Sequence, residues 1–89
     1  MDKFDVISYS SQFFYFLIEN KKIAEKINKI VLFGSAITNN FDKNSDIDIF
    51  IDCEDNIEDA VRKELYSFSK SKYFDYWKLK GLKNEISLK

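Results

Sequence analysis

The stretches IVLFGS (residues 30–35) and DIDIFI (residues 46–51) decide the fold of this chain. The first is a short apolar run that stops at a glycine, a pattern typical of a strand buried on both faces. The second begins with alternating acidic and apolar residues, which is typical of a strand with one core face and one polar face. We therefore predict two strands joined by a polar segment in the middle of the chain.

The segments on either side of these strands have helical spacing. Apolar residues three and four positions apart predict a first helix over residues 6–28 and a second over residues 56–71. Asp55 and Glu58, three positions apart, form a loose version of a capping box at the start of the second helix. Helices of this kind would cover at least one face of the sheet.

An aromatic cluster follows the second helix and is expected to complete the core. Gly81 is predicted to stop that segment before a last short strand at residues 85–88. The predicted order is α-β-β-α-β, with a small mixed sheet of about three strands packed against helices. The fold class is therefore α/β, of the α+β kind.

Length and composition favour one small domain over residues 1–89. The 45% hydrophobic content is enough for a single core, and one cysteine, Cys53, cannot build a disulfide framework, so we expect a cytoplasmic protein. The longest dense apolar stretch, residues 13–18, is too short to span a bilayer, so no membrane is expected as a partner. The chain has no histidine, which excludes Ser-His-Asp and Cys-His catalysis.

Charge is distributed unevenly along the chain. Residues 1–69 carry 8 basic and 13 acidic side chains, whereas residues 70–89 carry 6 and 2. The lysines of the second part alternate with aromatic residues. Two interpretations follow: a surface that stacks nucleic-acid bases, or core aromatics covered by the stems of the lysines.

Two carboxylates, which we call the acidic pair, are the candidates for binding a metal ion. Asp46 and Asp48 lie two positions apart on the second strand, so they point to the same face about 7 Å apart. Such oxygen ligands suit Mg²⁺ or Mn²⁺, although acids on the exposed face of an edge strand are also common. The turn at Gly34 and Ser35 suits a phosphate group, but it lacks the second glycine and the lysine of a P-loop. Asp52 is about 13 Å from Asp46, too far to share a metal ion with it.

The sequence VLFGS, followed by ten residues and then DIDI, resembles the Gly-Ser-x10-Asp-x-Asp signature of minimal nucleotidyltransferases, which are DNA polymerase beta-like domains. The resemblance implies that Gly34 and Ser35 bind the triphosphate of ATP or another NTP, and that Asp46 and Asp48 bind Mg²⁺ or Mn²⁺. It also implies a third catalytic, metal-binding carboxylate on a later strand. Glu85 is predicted for that role, with Asp75 as its competitor.

The function implied by the resemblance is the transfer of a nucleoside monophosphate, AMP from ATP, to an acceptor hydroxyl by two-metal chemistry. A first alternative is a weakly active or inactive antitoxin that binds a HEPN-domain protein, as relatives in toxin–antitoxin modules do. A second alternative is a nucleic-acid-binding domain. An uncovered edge of the sheet also predicts a homodimer.

Overall fold

The computed structural model describes residues 3–34, 46–54, 56–82 and 84–88. Its helices and strands are α1 Lys3–Ile18, α2 Lys21–Ala24, β1 Ile27–Phe33, β2 Ile47–Cys53, α3 Glu58–Ser69, α4 Lys72–Leu79 and β3 Ile86–Leu88. The predicted α-β-β-α-β order is confirmed. The first predicted helix is divided into α1 and α2, the second corresponds to α3, and α4 forms in the aromatic segment that follows it. None of the helices in these ranges combines the length and apolar character needed to cross a membrane.

The three strands form one mixed sheet in the order β1-β2-β3. Strand β1 pairs with β2 antiparallel, which places Val31 opposite Phe50 and Phe33 opposite Asp48. Strand β3 pairs with the other side of β2 in the parallel direction, and Ser87 is level with Asp48. The strand that carries the acidic pair is therefore the central one, fixed by hydrogen bonds on both sides.

The two faces of the sheet have different environments. Ile47 and Ile49 of β2 are fully buried and belong to the same core as the buried residues of the helices. On the other face, which we call the open face, Val31 is 37% exposed and Phe50 is 42% exposed. The prediction that the first strand is buried on both faces is therefore wrong. The apolar run of β1 is uniform, but the helices within the described ranges pack against one side of the sheet.

The first helical segment is shorter than predicted and is interrupted. Helix α1 ends at Ile18, and Asn20 then caps α2 by accepting a hydrogen bond from the backbone N–H of Lys22 at 3.2 Å. The side-chain amide of Asn20 also donates to Glu64 of α3 at 3.0 Å. Asparagine favours caps over helix interiors because its side chain bonds nearby backbone groups. The end of the predicted helix, from Ile27 onward, instead belongs to β1.

Ser71 separates α3, which corresponds to the second predicted helix, from α4, which was not predicted as a helix. Its hydroxyl donates to the carbonyl of Phe68 at 2.6 Å and accepts from the N–H of Phe74 at 3.4 Å, so it ends α3 and caps α4. At the other end of α3, Asn56 accepts from the N–H of Glu58 at 3.3 Å. Asp55, half of the predicted capping box, lies outside the described residues.

Gly81 ends α4 as predicted. Its φ is +100°, its N–H donates to the carbonyl of Lys78 at 3.0 Å, and the N–H of Leu82 donates to the carbonyl of Trp77 at 3.0 Å. These two bonds make a Schellman motif, in which glycine adopts the left-handed conformation without a Cβ penalty. Leu82 is buried next to the turn, so the motif turns the chain back toward the core and into β3.

Aromatic rings fill the space between the helices. The ring of Phe68 on α3 is fully buried, and its centroid lies 5.4 Å from that of Phe13 and 5.6 Å from that of Tyr9. Trp77 of α4 is also buried, and its indole N–H donates to the side-chain oxygen of Gln12. Helices α1, α3 and α4 are thus joined mainly by ring contacts.

The buried phenol of Tyr9 predicts a loss of stability at high pH. Burial raises the pKa of Tyr9 from 10.0 to about 12, so between these pH values the unfolded chain loses a proton that the folded protein keeps. The free energy of unfolding therefore falls as pH rises from 10 to 12, by about 1.4 kcal/mol per pKa unit. Urea unfolding of wild type and of Tyr9→Phe at pH 9, 10, 11 and 12 measures this fall in the free energy of unfolding. A fall of the same size in both proteins would contradict the prediction.

Candidate functional site

The acidic pair lies at the start of β2. Asp46 immediately precedes the strand and is exposed, and Asp48 is the second residue of the strand and is half-buried. Because side chains alternate along a strand, Asp48 is on the open face, while Ile47 points into the core. Continued alternation at Asp46, one residue before the strand, predicts that its carboxylate is on the same face. Asp48 is flanked by Phe33 on β1 and by Ser87 on β3. The arrangement offers two anionic side chains on one solvent-accessible surface.

Gly34 brings the turn after β1 directly against Asp48. The φ of Gly34 is +75°, and a Cβ placed on it would lie only 2.6 Å from Oδ2 of Asp48. The positive φ favours glycine at this position, and any larger residue would also have to displace the carboxylate of Asp48. The glycine of the predicted phosphate turn and the second aspartate of the predicted metal pair are thus in contact. Ser35 and the loop that follows it, up to residue 45, lie outside the described residues.

Gly34→Ala is expected to damage the site and to destabilise the protein. The left-handed backbone costs an alanine about 1–2 kcal/mol, and the new methyl group also displaces the carboxylate of Asp48. Gly81→Ala is the matched control, because Gly81 also has a positive φ but has no atom within 4 Å of its Cβ position. Urea unfolding should show a loss of stability in both variants, whereas the affinity for Mg²⁺ with ATP should fall only in Gly34→Ala. Unchanged nucleotide binding in Gly34→Ala would contradict this expectation.

Glu85 lies at the same end of the sheet as the acidic pair. The carbonyl oxygen of Glu85 accepts a hydrogen bond from the N–H of Ile47 at 2.8 Å, and the next residue, Ile86, pairs with Ile47. Asp46 and Glu85 therefore each precede the first paired residue of adjacent parallel strands. Glu85 is exposed, and it also contributes to the lining of a cavity of about 300 Å³ next to α4. The predicted competitor, Asp75, is on the exposed surface of α4.

The donor set suits a partly hydrated divalent ion. No group of three Asp, Glu, His or Cys side chains able to hold a metal ion occurs in the described part of the chain. Magnesium commonly keeps several waters and is bound by one or two carboxylates together with substrate phosphates. Asp46 and Asp48 on the open face fit that mode of binding. Glu85 as a third ligand stays a prediction.

Asp52 and Cys53, at the far end of β2, stand apart from the acidic pair. Asp52 faces the same side as Asp48 but pairs in register with Lys29 of β1. Its distance from Asp46 along the strand, about 20 Å for six residues at full extension, exceeds the 13 Å expected from the sequence. Asp52 is therefore farther from Asp46 than the sequence prediction assumed, and the two residues are too far apart to share one metal ion. Cys53 is half-buried and partly packed against the core.

The lysine-rich aromatic segment is divided between core and surface. Trp77 is buried and Phe74 packs partly against the core, as expected if the aromatics complete it. Tyr73 and Tyr76 are exposed, at 38% and 52%. Lysine amino groups lie 5.4 to 6.0 Å from the centroids of rings in α3 and α4: Lys70 over Tyr66, Lys72 over Tyr73, Lys78 over Phe74, and Lys80 over Tyr76. The core interpretation therefore describes Phe74 and Trp77, and a nucleic-acid surface that includes Tyr73 and Tyr76 stays a prediction.

The exposed apolar residues on the open face were not predicted from the sequence. Phe33, Val31 and Phe50 lie on the open face next to Asp48, although the pattern of the first strand suggested that its apolar residues belong to the core. The period-two pattern of the second strand was the available signal, because it places Phe50 on the same face as the acids. The acidic pair thus lies beside exposed apolar side chains.

Comparison with known proteins gives one match. A family model described as "Polymerase beta, Nucleotidyltransferase" matches residues 15–87, which include Gly34, both aspartates and Glu85. No curated protein and no solved structure matches the chain significantly. The matched range covers most of the chain, including β1, β2 and all of β3 except its last residue.

Proposed function

The chain belongs to the polymerase beta nucleotidyltransferase family, and on that premise we propose that it transfers a nucleoside monophosphate, AMP from ATP, to an acceptor hydroxyl. The observation that carries the proposal is the contact between Gly34 and the Asp48 carboxylate. Asp46 lies on the same face, two positions earlier. A turn suited to phosphate and a carboxylate suited to a metal ion therefore meet at one point.

Each residue has a distinct role in this proposal. Asp46 and Asp48 would hold Mg²⁺ or Mn²⁺, with Glu85 as the third ligand. The ion supplies charge neutralisation for the triphosphate and a fixed orientation of its oxygens. Gly34 and Ser35 would hold the β- and γ-phosphates, because backbone N–H groups at a glycine can approach an anion closely.

The transfer itself needs positioning more than proton chemistry. The acceptor oxygen forms a bond to the α-phosphorus, the bond between that phosphorus and the oxygen bridging to the β-phosphorus breaks, and pyrophosphate leaves with the electron pair. The proton of the hydroxyl passes to solvent. Most of the rate in such reactions comes from alignment and charge stabilisation, so the absence of histidine from the sequence is compatible with it.

Label transfer tests the proposed activity. The protein is incubated with Mg²⁺ and ATP labelled at the α-phosphate, with RNA, protein and small hydroxyl compounds as acceptors. Wild type should label one class of acceptor, and the double variant Asp46→Ala with Asp48→Ala should label none. Equal incorporation by the two proteins would refute the assignment of the site.

The competing function is binding of a HEPN-domain protein by a weakly active or inactive domain. The exposed Val31 and Phe50 favour it, because exposed apolar side chains that lie together can dock a protein partner. Calorimetry separates the two functions. A domain that works only as an adaptor shows no metal-dependent ATP binding, whereas the transferase does. A homodimer through the edge strands β1 and β3 also stays a prediction.

Nucleic-acid binding through α4 is a second candidate, favoured by the exposed Tyr73 and Tyr76 and the lysines over their rings. Bases stack on aromatic side chains, and lysines contact phosphates, so such binding weakens as salt increases. A salt-dependent mobility shift with RNA or DNA that survives the loss of both aspartates would support this candidate.

A further inference from the structure

The open face carries an apolar patch directly beside the acidic pair. Val31 and Phe50 face each other across β1 and β2, and Phe33 lies opposite Asp48. Val31 and Phe50 are 37% and 42% exposed, and none of the three side chains is among those that pack against the core. We call these three residues the apolar platform. Its position within a strand pair keeps its side chains in a fixed arrangement.

Two platform residues, Val31 and Phe50, lie on the opposite side of Asp48 from Gly34, whereas Phe33 is level with Asp48. Strand β1 runs antiparallel to β2, so Gly34 lies toward the Asp46 end and Val31 lies toward the Phe50 end. Asp48 is one two-residue strand step, about 7 Å, from Phe50. Along the paired strands, the open face therefore presents the turn at Gly34 at one end, the acidic pair in the middle and the exposed apolar side chains toward the other end.

This order matches the order of groups in a nucleoside triphosphate. Its β- and γ-phosphates lie at one end, the reacting α-phosphate in the middle, and the aromatic base at the other end, one ribose away. With the phosphates at Gly34 and the α-phosphate at the aspartates, the base lies toward Phe50. The base is planar and uncharged, so it suits apolar side chains that lie among carboxylates.

We propose that Val31, Phe33 and Phe50 form the surface on which the base of the nucleoside triphosphate stacks. This inference rests on the proposed function, because it requires the triphosphate to bind between Gly34 and the acidic pair. The three side chains offer no hydrogen-bonding groups to the edges of a base. The platform therefore contributes affinity for a planar aromatic group and does not read the identity of the base.

Paired calorimetric titrations test the platform. One ligand is a non-hydrolysable ATP analogue with Mg²⁺, and the other is tripolyphosphate with Mg²⁺, which has no base. Phe50→Thr removes the ring and keeps a β-branched residue suited to a strand. It should weaken binding of the analogue roughly 10-fold and leave binding of tripolyphosphate unchanged. Leu79→Thr, at a position that is 89% exposed on α4, is the control and should change neither affinity.

Val31→Thr is a second variant, with a side chain of nearly unchanged shape. It should also weaken binding of the ATP analogue and leave binding of tripolyphosphate unchanged. Unchanged affinity for the analogue in both variants would overturn the inference, as would an equal loss for both ligands. A change in oligomeric state without a change in analogue affinity would identify a second copy of the chain as the occupant and would also overturn it. If wild type binds neither ligand, the proposed function fails first and the platform fails with it.

Discussion

Asp48→Asn is expected to lower the affinity for Mg²⁺ with ATP at least about 100-fold and to leave the fold intact. The substitution keeps the shape of the side chain and removes the negative charge that a metal ion requires. Changes to the outer shell of metal sites already cost 10- to 100-fold, so the loss of a direct ligand should reach or exceed that range. Calorimetric titration with a non-hydrolysable ATP analogue measures the affinity.

Asp52→Asn is the matched control for this prediction. Asp52 lies on the same strand and the same face as Asp48, so the two variants change the net charge equally. Asp52 is two strand steps farther from Gly34 and should have little effect on affinity. Equal affinities of the two variants for the nucleotide would contradict the assignment of Asp48 as a metal ligand.

Phe68→Ala is expected to cost about 3–5 kcal/mol of folding free energy. The fully buried ring contacts the rings of Tyr9, Phe13, Phe16 and Phe74, with centroids 5.4 to 6.3 Å apart. Removing it leaves a cavity where α1, α3 and α4 meet. Small domains have only about 5–15 kcal/mol of stability, so the substitution should remove a large part of the free energy of unfolding.

Chemical denaturation followed by circular dichroism measures this loss. Tyr66→Ala, on the same helix, is the control, because Tyr66 is 66% exposed and its removal leaves no buried cavity. The control should change the free energy of unfolding by less than about 1 kcal/mol. Similar losses in the two variants would show that Phe68 is not the centre of the core.

The strands could be predicted from the sequence because their signals are local. An apolar run before Gly34 and the alternation around Ile47 each need only a few residues to be recognised. The ends of the helices depended on caps. The cap at Asn20 competes with helical spacing that continues past it, so the spacing alone predicted a first helix that was too long. The second predicted helix agrees with α3 within two residues at each end, and α4 beyond Ser71 was not predicted as a helix.

The exposure of Val31 could not be predicted from the first strand. A continuous apolar run is compatible with burial on one face or on two, and the outcome depends on where distant helices pack. The residue types of the candidate site were recognised from the spacing between Gly34 and the aspartates. Their contact depends on the register between β1 and β2, which the sequence of either strand alone does not fix.

The most direct test of the acidic pair is anomalous diffraction from crystals of the protein with Mn²⁺ and a non-hydrolysable ATP analogue. Manganese scatters anomalously and accepts the same oxygen ligands as magnesium. The predicted result is an anomalous peak bound by Asp46 and Asp48, with the triphosphate next to Gly34. Manganese held by other acidic residues, or nucleotide density away from the open face, would contradict the proposed site.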